Sequence, residues 1–159
     1  MAENEVAVKS NDALAMAKDA IQYIVVGVGN EQYGIDIKYI DNIVRISRIT
    51  RVPTVQPYFK GVINLRGEVV AVMSLRLKMN LDDDEITNKS RIIIIKMDGN
   101  DSIGILVDEV KKVVTISDDD IERAAHSKNG APSFISGVGK VDEGLVSILD
   151  LTTIIDEEE

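Results

Sequence analysis

The sequence predicts a mainly β fold built from two pseudo-repeated halves, and three observations predict it. The first is composition. Among 159 residues there are 22 Ile and 19 Val, against four Tyr, two Phe and no Trp. Branched side chains are stiff at the first torsion and fit pleated strands better than helices. The second is duplication. Tyr23–Ile46 aligns without a gap on Ile93–Ile116, so that Gly29-Asn30 meets Gly99-Asn100 and Gly34-Ile35 meets Gly104-Ile105. Gly61–Leu75 aligns in the same way on Gly137–Leu151, with Gly61-Val62 on Gly137-Val138. The third is spacing. Short apolar runs separated by Gly turns recur about five times per half, the pattern of small β-barrels or curled sheets. The expected fold is two five-stranded β-barrel subdomains sharing an apolar core, with short helices.

The elements follow in order. Residues 1–19 are polar, and Asn11–Lys18 can start a short helix with Asn11 or Asp12 as its N-cap. One domain then spans 20–156, with repeat halves at about 21–79 and 91–155. Each half opens on an apolar strand (Gln22–Val28; Arg91–Met97) that runs into a Gly-Asn hairpin turn. A second strand follows (Gln32–Ile37; Ser102–Val107). Apolar residues at Ile37, Ile40 and Val44, matched by Val107, Val110 and Val114, suit a short helix by spacing and a strand by branching. Pro53 and Pro57 keep the chain extended before a helical turn near Pro57. A Gly turn (Leu65–Gly67; Asp142–Gly144) leads into a further strand (Glu68–Met73; Leu145–Leu149). A helical turn closes each half (Leu75–Met79; Leu151–Ile155). Gly29, Gly34, Gly61, Gly99, Gly104, Gly137 and Gly144 are read as structural turn positions. The loop 80–90 (NLDDDEITNKS) reads as exposed, and 157–159 as a solvated acidic tail.

Composition also restricts function. The chain has no Cys and a single His, His126, which leaves no thiolate chemistry and no multi-histidine metal site. The net charge is −9 and the pI about 4.6, a poor match for nucleic acid. No apolar run approaches the roughly 18 residues of a membrane span, and Met1–Lys18 has no signal-peptide core. The expectation is a soluble intracellular protein without cofactor or metal. Gly27-Val28-Gly29-Asn30-Glu31-Gln32 lacks the third Gly of a dinucleotide fingerprint and precedes a strand, so it reads as a turn. Asp82–Glu85 and Asp118–Asp120 lack the alternating spacing of a calcium loop and read as solvated charge. His126, in a polar stretch, reads as a surface histidine.

The distinctive segment is Arg51–Met79, RVPTVQPYFKGVINLRGEVVAVMSLRLKM. Its turn Asn64-Leu65-Arg66-Gly67 has a counterpart in the second half, Lys140-Val141-Asp142-Glu143-Gly144, that lacks the Asn-x-Arg chemistry. A turn needed only for the fold does not need Arg66. The competing reading is a surface arginine paired with Glu68 or another carboxylate.

Lys60-Gly61-Val62-Ile63-Asn64-Leu65-Arg66-Gly67, the strand Glu68–Met73 and Leu75-Arg76 resemble the signature of the CheW family, the adaptor proteins of bacterial chemotaxis. Tyr33-Gly34-Ile35-Asp36-Ile37 and Val107-Asp108, followed by Val110 and Val113, are similar to further family segments, and the resemblance covers roughly 20–156. It implies two small five-stranded barrels and a non-enzymatic, cytoplasmic adaptor recruited to membrane-associated receptor arrays. Its implied partners are the cytoplasmic hairpin tip of a chemoreceptor (a methyl-accepting chemotaxis protein) and the regulatory domain of a CheA-type histidine kinase, with neither nucleic acid nor direct membrane insertion. Carried over by position, the receptor-groove candidates are Ile40, Ile92 and the turn residues Asn64, Arg66 and Gly67. A helical hairpin needs an apolar slot and a few polar anchors, and Arg66 suits an anchor. Plain core packing is the alternative for Ile40 and Ile92. Where the family often has a Glu, this chain has Asn42, so Arg66 is left to pair with Glu68 or Asp41, or to stay free for a partner. Three other readings compete: a CheW-like module of a larger chemosensory protein, a nucleic-acid-binding small barrel, and a hydrolase using two carboxylates. The initial Met1 and the acidic tail favour a complete small protein over a module.

Overall fold

The Ile/Val runs become strands wherever a Gly or polar turn ends them. The structure is a computed structural model that describes residues 20–53, 55–97, 101–123, 134–141 and 144–155. The first half supplies β1 (Ala20–Val28), β2 (Glu31–Asp36), β3 (Ile40–Arg45), β4 (Phe59–Leu65), β5 (Glu68–Ser74) and the one-turn helix α1 (Leu75–Lys78). The second supplies β6 (Arg91–Lys96), β7 (Ser102–Val107), β8 (Glu109–Ser117), β9 (Ile121–Arg123), β10 (Ile135–Val141), β11 (Gly144–Leu149) and α2 (Leu151–Ile155). Ser74 caps α1, its hydroxyl accepting from the Leu77 N–H.

The ambiguous segment after β2 resolves into both alternatives in succession: a 3₁₀ turn at Ile37–Tyr39, then β3. The helical turn expected near Pro57 is a single hydrogen-bonded turn, with Phe59 N–H donating to the Gln56 carbonyl at 3.0 Å. Asn11–Lys18, Gly99-Asn100, His126 and the acidic tail lie outside the described residues.

The strands form two sheets, ordered β8-β1-β2-β11-β10-β9 and β3-β6-β7-β5-β4. The repeat is visible in the register. In one sheet Ala71 pairs with Ile103 and Val72 with Gly104, in parallel; the duplicated positions Ser147 and Tyr33, and Ile148 and Gly34, pair in parallel in the other. The spatial units, however, are not the contiguous halves. One gathers the chain up to Val25, Gln32–Ile37 and the chain from Lys112, and the other gathers Val26–Glu31 and Lys38–Lys111. Each half thus lends its opening hairpin to the closing hairpin of the other. Each core mixes halves accordingly. Tyr23 and Val25 pack with Ile116, Ile121, Val146 and Ile148 in the first unit, and Ile63, Val70 and Val72 pack with Ile92, Ile94 and Leu106 in the second. In the second unit Val44 of β3 and Leu65 of β4 pack on that one cluster although their strands are the two edges of the sheet, so the sheet is curled.

Of the glycines read as turns, Gly29 (φ 61) and Gly144 (φ 125) stand at hairpin ends. The other described ones are strand positions, which corrects the expectation. Gly34 and Gly104 lie inside β2 and β7, where an added Cβ would stand 3.0 Å from Ile148 Cδ1 and 2.7 Å from Ile92 Cγ2 respectively. Gly61 and Gly137 lie at register shifts in β4 and β10. At Gly61 the backbone has φ 141 and a Cβ would meet the Thr50 carbonyl oxygen at 2.1 Å. Closeness of neighbouring chains, not chain reversal, demands glycine there.

Candidate partner-binding surface

The β4–β5 hairpin has Leu65 paired with Glu68, leaving Arg66 and Gly67 as a two-residue turn. Their φ values are 54 and 83, both positive, as a type I′ turn requires. Gly adopts that backbone freely; an arginine there costs about 1–2 kcal/mol. Asn64 offsets part of it, its Oδ1 accepting from Gly67 N–H at 3.1 Å. Three of the five groove candidates, Asn64, Arg66 and Gly67, therefore sit in one exposed turn.

The Arg66 side chain makes no hydrogen bond or ion pair among the described residues. Neither Glu68 nor Asp41 engages it, which removes those two pairings. Asn42 is locally occupied, its Oδ1 accepting from Ile43 N–H at 2.9 Å. Beside the turn, Val69 stands opposite Asn64 and is 72% exposed. Its repeat counterpart Leu145 is also exposed. Sequence reasoning missed Val69 because period-2 alternation does not say which strand end overhangs the core. Ile40 is half-exposed on β3, paired with Ile95. Ile92 is fully buried in the second unit's core. A side chain with no exposed surface offers a partner nothing, so of the two readings held for Ile92 the structure selects core packing.

At the opposite end of the hairpin from the turn, where β5 runs into α1, lies a polar scaffold. Arg76 at α1 grips Asp108 in a two-pronged pair, Nε to Oδ1 at 2.9 Å and Nη2 to Oδ2 at 2.8 Å. Asp108 Oδ2 also accepts from Gly29 N–H at 2.9 Å. Burial pushes the Asp108 carboxyl up, but the Arg76 hydrogen bonds, the Gly29 N–H and the Arg76 charge outweigh it and hold the carboxyl below its ordinary value. The loop 80–90 is exposed along most of its length, as expected, but two of its acids have partners. Asp83 pairs with Lys60 at 2.7 Å, and the Asp84 side chain, 3% exposed, accepts from the Ser74 hydroxyl. Burial pushes the Asp84 carboxyl up against that bond and the Lys60 charge. Asp118 is likewise engaged, by Arg123. The described residues hold no cluster of metal-ligating side chains and no helix long and apolar enough to cross a membrane.

The described residues thus present exposed polar and apolar groups at the β4–β5 hairpin end. The family model of the CheW-like domain matches residues 22–159. The chain belongs to the CheW family. This CheW-like chain is 36% identical over 145 residues to the chemotaxis protein CheW of Bacillus subtilis (strain 168), covering 91% of the chain and 92% of the relative. It is 32% identical over 142 residues to that of Helicobacter pylori (strain ATCC 700392 / 26695), covering 89% and 85%. Among solved structures, the scaffolding protein TtCheW from Thermoanaerobacter tengcongensis superposes with a TM-score of 0.78 at 27% identity, over 87% of this chain and 94% of that one. The CheW-like chain is accordingly an adaptor or scaffold protein of chemotaxis, with the mainly β fold of that family.

Proposed function

We propose that this chain is a non-enzymatic adaptor that couples the cytoplasmic tip of chemoreceptors to a CheA-type histidine kinase, working as one domain over 20–156 in the cytoplasm at membrane-associated arrays. The observation that carries it is Arg66: exposed, unpaired among the described residues and held in a left-handed backbone. Strain kept at an exposed residue points to a use for that residue. The guanidinium projects five donors that can meet carboxylates or carbonyls of a helical hairpin. Val69 adds apolar contact beside it, and Asn64 and Gly67 set the turn. Ile40 supplies an apolar contact on β3; Ile92 supports the site from the core.

The test is co-sedimentation of this protein with a receptor cytoplasmic fragment and a CheA-type kinase, read out as kinase activity. Kinase activation that depends on this chain is the expected result. Failure to bind either partner at micromolar concentration would sink the reading.

A further inference from the structure

The second unit carries another surface. Two adjoining depressions share Arg51, Pro57, Phe59 and Lys60; Val52 and Val55 are among the other residues lining one, and Ile49, Leu77, Asp83 and Ile86 complete the other. Val52, Val55 and Ile86 are 39%, 43% and 52% exposed, so three large apolar side chains face solvent along one groove. Neither catalytic geometry nor core packing uses them.

The charge along this groove opposes that of the chain. The net charge is −9, yet Arg45–Arg51 reads RISRITR, three arginines without a carboxylate. The side chains of Arg45, Arg48 and Arg51 are exposed and make no hydrogen bond or ion pair among the described residues. Lys60 is paired with Asp83 at 2.7 Å; Arg51, which lines both depressions, meets that carboxylate only through the longer-range field of its charge, and the exposed Arg48 precedes the lining residue Ile49 in the chain. A membrane surface fits poorly, because the cations flank a concave slot rather than a flat face. A nucleic-acid strand would want stacking aromatics in a basic channel, and the groove has only Phe59 beside carboxylate Asp83. A protein segment supplying both carboxylates and apolar side chains satisfies both halves of the surface.

We propose that this groove binds an extended acidic peptide segment of another protein, with apolar side chains in the two depressions and carboxylates on Arg51 and Arg48. This does not use the β4–β5 turn, so it stands or falls separately from the receptor reading.

The experiment is fluorescence anisotropy with the full chain and a labelled peptide of alternating leucine and glutamate. Controls are an all-glutamate peptide, a leucine–lysine peptide and a labelled single-stranded oligonucleotide. Saturable binding of the leucine–glutamate peptide alone is expected, weakened about tenfold or more by Arg51→Glu, the scale of one lost charge-assisted contact. Ile86→Asp should weaken it as well, while Lys140→Glu, the same charge change at an exposed residue of the other unit, should not. Equal binding of the all-glutamate peptide or the oligonucleotide would reduce the surface to a nonspecific anion patch and overturn the proposal. So would absence of saturable binding, or indifference to both groove substitutions in variants whose melting curves match the wild type.

Discussion

Arg76 and Asp108 stand 32 residues apart in the chain and meet in a two-pronged ion pair at 2.8 and 2.9 Å. Through Asp108 the pair also holds Gly29 N–H, so one carboxylate ties the β1–β2 turn to the helix that follows β5. Both residues stand in segments that resemble the family signature, Leu75-Arg76 and Val107-Asp108, and the contact explains in physical terms why the two belong together.

Removing Asp108 should therefore cost more than an average surface change. Asp108→Ala strands a partly buried guanidinium and a turn N–H, for a loss of about 2 kcal/mol by denaturant titration. Arg76→Lys should recover little of the Arg76→Ala loss, because an ammonium cannot make the fork. The Asp108 carboxyl lies below its ordinary value when folded. Its contribution is present above the unfolded carboxylate range near about pH 4 and is lost as pH falls through the lowered folded value. The stability difference between wild type and Asp108→Asn should shrink on acidification in that window.

Asp84 has the opposite sign. Its carboxyl is raised by burial, so its ionised form is disfavoured in the fold. Stability linked to it is full below the unfolded value of about 4 and declines as pH rises through the raised folded value. Asp84→Asn, which can still accept from the Ser74 hydroxyl, should raise the melting temperature at pH 7 and match the wild type at the acid end. A lower melting temperature at pH 7 would show that the Lys60 attraction at 3.9 Å outweighs burial.

Gly61→Ala should be among the most destabilising single-methyl additions. The backbone has φ 141 and the new carbon would collide with the Thr50 carbonyl at 2.1 Å. That carbonyl accepts from Val62 N–H, and Thr50 N–H donates back to Val62, each at 2.8 Å, so relief requires breaking the bridge. A loss of about 3 kcal/mol or more is expected in urea denaturation.

Arg66 separates stability from binding. Arg66→Gly removes the left-handed penalty and should stabilise the chain by up to about 1 kcal/mol, while weakening receptor coupling. Arg66→Glu should abolish coupling with a stability change under about 0.5 kcal/mol. A large drop in melting temperature for Arg66→Glu would mark the residue as structural.

Much of the fold was legible because local chemistry sets it. Gly29-Asn30 between two apolar runs is a hairpin in any context, and the coincident glycines exposed the repeat. Part of the candidate site's layout was legible: Asn64, Arg66 and Gly67 stand together at one hairpin end, as their spacing implied. Ile92 was not, because an Ile in a four-Ile run is equally suited to a core and to a slot; only its neighbours decide. Asp84 read as solvated because a run of acids usually is, and nothing in sequence says that Ser74 waits for it; Asp83 stays largely exposed beside Lys60.

The sequence by itself determined the β class, the duplication, the hairpin turns at Gly29 and Arg66-Gly67 and the absence of thiolate chemistry, since these follow from residue type and spacing. The tertiary structure alone decided that each half gives its opening hairpin to the other half's closing one. Two copies of one pattern can pair within a half or between halves with similar hydrogen bonds. What selects between them is which arrangement buries both apolar faces at once, a property of the packed chain rather than of any segment in it.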